Sequence, residues 1–163
     1  MKKIVLLLAS VAMLFGIVGC GSIERTPEER AEAKQNMSDI KADLKAKNFT
    51  ITADFIIPLR GGSSAITGGY QITVNGDELM SDLPYYGEAW SLPYGGGHGL
   101  HFTSDIEKMK YRRVSDHYEI NLKARDTEGT FDYFITIYDT GRAEIQVEST
   151  FFDTVRYTGD FVF

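Results

Sequence analysis

From Asn48 to the C-terminus, apolar side chains recur at every second position, and turn-forming clusters close each run. Phe49, Ile51, Ala53, Phe55 and Ile57 alternate with Thr50, Thr52 and Asp54, and Pro58 ends that run. After the glycine- and serine-rich connection "RGGSSAITGG", Tyr70, Ile72 and Val74 mark a second strand. "NGD" at 75–77 signals a tight hairpin leading into a short strand around Glu78–Ser81. The second half is more regular. Tyr118, Ile120, Leu122 and Ala124 form one inward set; Phe131, Tyr133, Ile135 and Ile137 form the next, with "DTEG" turning the chain between them. "DTG" at 139–141 precedes Ala143, Ile145 and Val147, and Val155, Tyr157 and Phe161 complete the series. Weaker strands near 100–103 and 106–114 bring the total to about eight or nine. One-sided alternation with short connections predicts a mostly β, α+β domain: an antiparallel meander, built as a curved sheet, an open barrel or a closed one.

Ahead of the strands the period is 3.6. "TPEERAEAKQNMSDIKADLKAKN" reads as one helix, with Thr26 as N-cap, Pro27 at the first helical position and Glu29 completing a capping box. Ala33, Met37, Ile40 and Leu44 make a narrow apolar stripe. Lys41, Lys45 and Lys47 suit the negative end of the helix dipole, and Asn48 serves as the stop. So thin a stripe, without large aromatics, predicts packing on the sheet rather than a helix lying in a membrane surface.

The N-terminus follows a third pattern. Lys2 and Lys3 precede an uncharged apolar run, Ile4 to Val18, shorter than the roughly 20 residues that span a bilayer. Residues 1–19 therefore read as a signal peptide. Ile17, Val18, Gly19 and Cys20 resemble the lipobox of bacterial lipoproteins, in which the cysteine thiol is alkylated by diacylglycerol and the new amino terminus is acylated. Two or more buried chains make such an anchor effectively permanent. The alternative is an ordinary secretory signal with an incidental cysteine. On the lipobox reading, residues 20–26 are a lipidated cysteine and short tether, and residues 27–163 are one helix-plus-meander domain. Gly21 after the anchor, where aspartate favours inner-membrane retention, points to the outer membrane, on its periplasmic or surface face.

Composition narrows the partners. Cys20 is the single cysteine, so no disulfide is available. Without the signal peptide the chain carries 15 basic and 23 acidic residues, a formal charge of −8, which argues against nucleic acid as a partner.

"NFTITADFIIP", "LPYYGEAWSLPYGGGHGLHF", "YEINLKA", "DYFITIYDTGRAEIQV" and "RYTGDF" resemble, in that order, the lipoprotein family catalogued as domain-of-unknown-function family 4251, of the Bacteroidales type. The resemblance covers nearly all of the mature chain. It implies an exported, lipid-anchored, mostly β domain, and it transfers no catalytic residue.

The segment from Leu83 to Phe102 is the most unusual in composition. Tyr85, Tyr86, Trp90, Tyr94 and His98 crowd a stretch rich in glycine and proline, and they are the candidate binding loop at the rim of the sheet. The alternative is a long loop packing its own aromatics over the core. "GGGHG" lacks the lysine and following helix of a phosphate cradle. His98, His101 and His117 are the three histidines, but neighbours three apart on a strand face opposite ways, so no metal ligand set is assigned and no cofactor is implied. Ser91, His98 and Asp105 lack a nucleophile-elbow motif. The basic run "KMKYRRV", 108–114, either meets an anionic glycan, lipid head group or partner, or protects a strand from aggregation.

The expectation is a non-enzymatic envelope lipoprotein, anchored through Cys20, that binds a small molecule or partner protein. A structural or assembly component of an envelope complex is the alternative, and a hydrolase acting on envelope material ranks third.

Overall fold

Residues 25–85, 99–127, 129–150 and 153–163 are described in the computed structural model. The segment read as a signal peptide, Cys20 and most of the aromatic loop lie outside them. The chain divides into two compact units, Met1–Arg30 and Ala31–Phe163. Helix α1 (Pro27–Ala46) begins in the first and runs into the second, which holds all the strands. Its capping box forms as the sequence predicts. The Thr26 N–H donates to Glu29 Oε2 at 2.6 Å, and the Glu29 N–H donates to Thr26 Oγ1 at 3.2 Å. Lys47, with φ 52°, ends the helix one residue before the predicted stop, and Asn48 already opens the first strand.

Nine strands follow: β1 (Asn48–Pro58), β2 (Ser64–Ala65), β3 (Gln71–Asn75), β4 (Glu78–Leu83), β5 (Leu100–Val114), β6 (His117–Arg125), β7 (Thr130–Tyr138), β8 (Arg142–Ser149) and β9 (Val155–Val162). Each pairs antiparallel with the next in the order β1-β3-β4-β5-β6-β7-β8-β9, and β9 returns to pair with β1. That last pairing closes an eight-stranded barrel. The short β2 adds to β1 beyond the end of β3, with Phe55 opposite Ala65. Of the open and closed forms the alternation allowed, the molecule takes the closed one, which leaves no free edge along most of the wall.

Two bulges separate the structure from simple alternation. In β1 the register against β9 slips between Ala53 and Phe55. One extra residue reverses the phase, so Ile56 is fully buried while Phe55 and Ile57, read as inward from the sequence, are only partly covered. In β5 the register against β6 slips between Ile106 and Lys108. The two weak strands read near 100–103 and 106–114 are therefore one long strand with a bulge, whose phase shift mimics a break.

Elsewhere the inward sets are those of the sequence. Tyr118, Ile120, Leu122 and Ala124, then Phe131, Tyr133, Ile135 and Ile137, then Ala143, Ile145 and Val147 are all buried, as are Val155, Tyr157 and Phe161. An apolar interior inside a charged and polar wall is the reverse of a membrane-spanning barrel, whose outer face is apolar. The helix stripe joins the same interior: Met37, Ile40 and Leu44 are buried in the core. Asn36 Nδ2 donates to the Asp139 carbonyl at 2.9 Å, and the Gly76 N–H donates to the Lys47 carbonyl at 2.7 Å. Both contacts reach turns at one end of the barrel, so α1 covers that end. At the opposite end, the antiparallel order brings together the ends of β4, β6 and β8 and the starts of β5, β7 and β9, and these form a rim.

Candidate functional site

The rim is where the aromatic loop leaves and rejoins the wall. Leu83 pairs with Leu100 across the last rung of β4 and β5, and both are buried, so the loop springs from a fixed base. Three polar contacts hold that base. Tyr157 donates its hydroxyl to the Pro84 carbonyl at 2.6 Å. Ser81, itself buried, donates to the Leu100 carbonyl at 2.8 Å and accepts from the Tyr133 hydroxyl at 3.0 Å. Buried polar groups without partners cost about 1–3 kcal/mol each, so these bonds fix the loop ends to the barrel interior. Burial pushes the Tyr133 phenol well above its ordinary value, against the opposing Ser81 hydrogen bond and reinforced by the Asp126 carboxylate.

Of the five residues read as the binding loop, Tyr85 alone is described; Tyr86, Trp90, Tyr94 and His98 lie outside the described residues. Tyr85 is partly buried, and its hydroxyl donates to the Asp153 carbonyl at 3.4 Å. Asp153 itself was not legible as a site residue. Its side chain is 4% exposed, with Arg60 Nε at 4.0 Å, and its Oδ2 has no hydrogen-bond partner among the described residues. Within "STFFDTV" it follows two aromatics and precedes the first inward residue of β9, and an acid so placed is the one signal that would have singled it out. The rim thus sets a buried carboxylate and a guanidinium beside the root of the loop, while the hydroxyls of Tyr85, Tyr133 and Tyr157 donate to partners within the barrel.

The other candidates disperse. His101 pairs across β4 and β5 with Asp82, Nδ1 to Oδ1 at 2.5 Å, both about half exposed on the outer wall. His117 lies at the far end of the β5–β6 hairpin, beside Asp116 and Glu119. Those two histidines are not brought together, and Ser91 and His98 lie outside the described residues. Among the described residues, no group of three His, Cys, Asp or Glu side chains is placed to hold a metal. The basic run occupies β5 past the point where β4 ends: Glu78 pairs with Asp105, and no described strand pairs with residues 107–114 on that side. Lys108, Lys110 and Arg112 therefore flank a stretch of strand edge.

Comparison with known proteins agrees with this architecture. A family model described as a domain of unknown function, DUF4251, matches residues 31–161. The crystal structure of a DUF4251 family protein from Bacteroides eggerthii DSM 20697 is similar at 17% identity, with a TM-score of 0.59 over 82% of this chain and 91% of that one. No curated protein matches the chain.

Proposed function

The chain belongs to the DUF4251 family, and on that premise we propose that it is a membrane-anchored envelope lipoprotein acting as a non-enzymatic binding module for a small molecule or partner protein. Cys20 carries the lipid and holds the domain at the outer membrane, while the barrel presents the rim. The observation that supports recognition at the rim is Asp153, whose buried Oδ2 has no hydrogen-bond partner among the described residues and lies beside the root of the aromatic loop. Phe131, Tyr133 and Tyr157 fill inward positions and are fully buried, which favours the rim over the lumen as the site. A second reading, a structural or assembly component, draws on the stretch of β5 edge at 107–114.

The acylated wild type and its Trp90→Ala variant, purified from native membranes, test the proposal. Mass spectrometry of the co-purified molecules and a melting curve are recorded for each. A binding loop loses its bound molecule on Trp90→Ala with little change in melting temperature. A melting temperature lowered by many degrees, with bound molecules retained, assigns the loop to packing and sinks the proposal.

A further inference from the structure

On the outer wall, one rung of the sheet differs in character from its neighbours. Lys110 on β5 stands opposite Asn121 on β6, Asn121 opposite Phe134 on β7, Phe134 opposite Gln146 on β8, and Gln146 opposite Arg156 on β9. Five adjacent strands thus place a cation, an amide, an aromatic ring, an amide and a cation in one line. With strands about 4.8 Å apart, the two cations stand on the order of 19 Å apart.

Two features distinguish this line from a solvated wall. Phe134 is 42% exposed, and it is the one side chain without a polar atom at the outward positions of β6, β7 and β8. Concavities flank the ring on both sides. One, of 420 Å³, is lined by Phe134 with Lys108, Lys110, Asn121, Lys123 and Asp132. The other, of 330 Å³, has Phe134, Gln146 and Arg156 among its walls. The second feature is charge. Neighbouring cations on this wall are paired: Arg112 with Glu119, Arg125 with Glu107, and Arg142 with Asp54 and Asp160. Among the described residues Lys108, Lys110, Arg156 and the Asn121 amide have no such partner. Lys123 reaches Asp132 only at 3.8 Å, and Gln146 donates to Glu148 at 2.7 Å.

We infer that this rung is a second binding site, for an extended acidic oligosaccharide. A sugar ring offers an apolar C–H face that covers Phe134, hydroxyls that pair with Asn121 and Gln146, and carboxylate or sulfate groups that meet the lysines and Arg156. An acidic peptide fits less well. Extended peptides bind sheets by running along a free backbone edge, here residues 107–114 of β5, whereas this line crosses the strands on the outer face of the wall. The site lies on the outer face of the wall and shares no residue with the rim contacts.

Titration calorimetry on the mature domain tests it with two acidic probes, an oligogalacturonate and a heparin-derived oligosaccharide, against carboxyl-reduced oligogalacturonate. At least one acidic probe binds in low salt, binds about tenfold more weakly when carboxyl-reduced or in added salt, and is lost with Lys110→Gln/Arg156→Gln. Phe134→Ala weakens binding about tenfold with an unchanged circular dichroism spectrum, since the ring is exposed. Trp90→Ala leaves the affinity unaltered, which separates this site from the rim. No binding of either acidic probe at millimolar concentration, an affinity indifferent to Phe134→Ala, or polyglutamate binding as tightly as the sugars overturns the inference.

Discussion

Gly159 on β9 lies against Thr52 on β1 so closely that a Cβ at Gly159 would fall 1.7 Å from the Thr52 carbonyl oxygen and 2.9 Å from the Ala53 Cα. The obstacle is backbone at the seam where the barrel closes, with no side chain able to move aside. Gly159→Ala is expected to cost about 3 kcal/mol or more, at the upper end of overpacking, and to lower the urea midpoint sharply. Gly76→Ala, at a turn position with nothing within 4 Å of the added atom but φ 63°, serves as the milder comparison. Equal midpoints for the two variants would disprove the steric seam.

Arg142 spans the same seam. Its Nη1 donates to Asp54 Oδ2 at 2.8 Å and to Asp160 Oδ1 at 2.9 Å. The Arg142 hydrogen bond holds the Asp54 carboxyl below its ordinary value, against a smaller opposing effect of burial. A depressed native value contributes stability above the unfolded carboxyl's range and loses it as pH falls through the native value. Half-exposed pairs of this kind contribute about 0.2–1 kcal/mol. Asp54→Asn is therefore expected to be destabilised by that amount at pH 7, and the gap should narrow as pH falls from 3.8 toward the lower native value. Melting curves across pH 3–8 provide the check.

The Tyr133 phenol changes stability at the other end of the pH scale. Because its native value is raised, its contribution is complete below pH 10.0 and declines as the unfolded chain's phenols ionise above it. Tyr133→Phe should cost about 1 kcal/mol at neutral pH by leaving the Ser81 hydroxyl without its donor. The variant should also lose stability less steeply under alkaline conditions. Parallel alkaline limbs for the two proteins would contradict this.

Tyr157→Phe removes the bond to the Pro84 carbonyl and leaves a buried acceptor unfilled, an expected loss of about 1–3 kcal/mol. The effect should be local. Amide exchange ought to accelerate at Leu83 and Leu100 more than at Ile120 or Ile135, and uniform acceleration would show that the bond does not hold the loop base.

Cys20→Ala should move the protein from the membrane fraction to the soluble envelope fraction, since the lipid would be its attachment. Fractionation with an anti-protein blot decides it. Undiminished membrane association of the variant would refute the lipid assignment.

The inward face of the second half was legible because alternation there is unbroken from Tyr118 to Ile137 and onward to Phe161. At Asp54 and Glu107 a single inserted residue inverts the phase, and the inversion is visible only against the partner strand. Closure was undecided for the same reason. Gly159 reads as an ordinary strand glycine until β1 is set beside it. The rung of Lys110, Asn121, Phe134, Gln146 and Arg156 is scattered over five strands in sequence and becomes a line only through their registers. Tyr85 was found by composition, whereas Asp153 required knowledge that the β8–β9 connection reaches the rim.

The β1–β9 pairing has a consequence for how the molecule is made. Every other pairing in the barrel joins strands that are neighbours in the order of synthesis, apart from the short β2, whereas Thr50 meets Val162 across nearly the whole domain. The wall cannot shut until its last strand is available, so a nascent chain is an open ribbon with two bare margins. Loop-closure entropy then falls on one late step, and the interval before it is when this polypeptide most needs a chaperone.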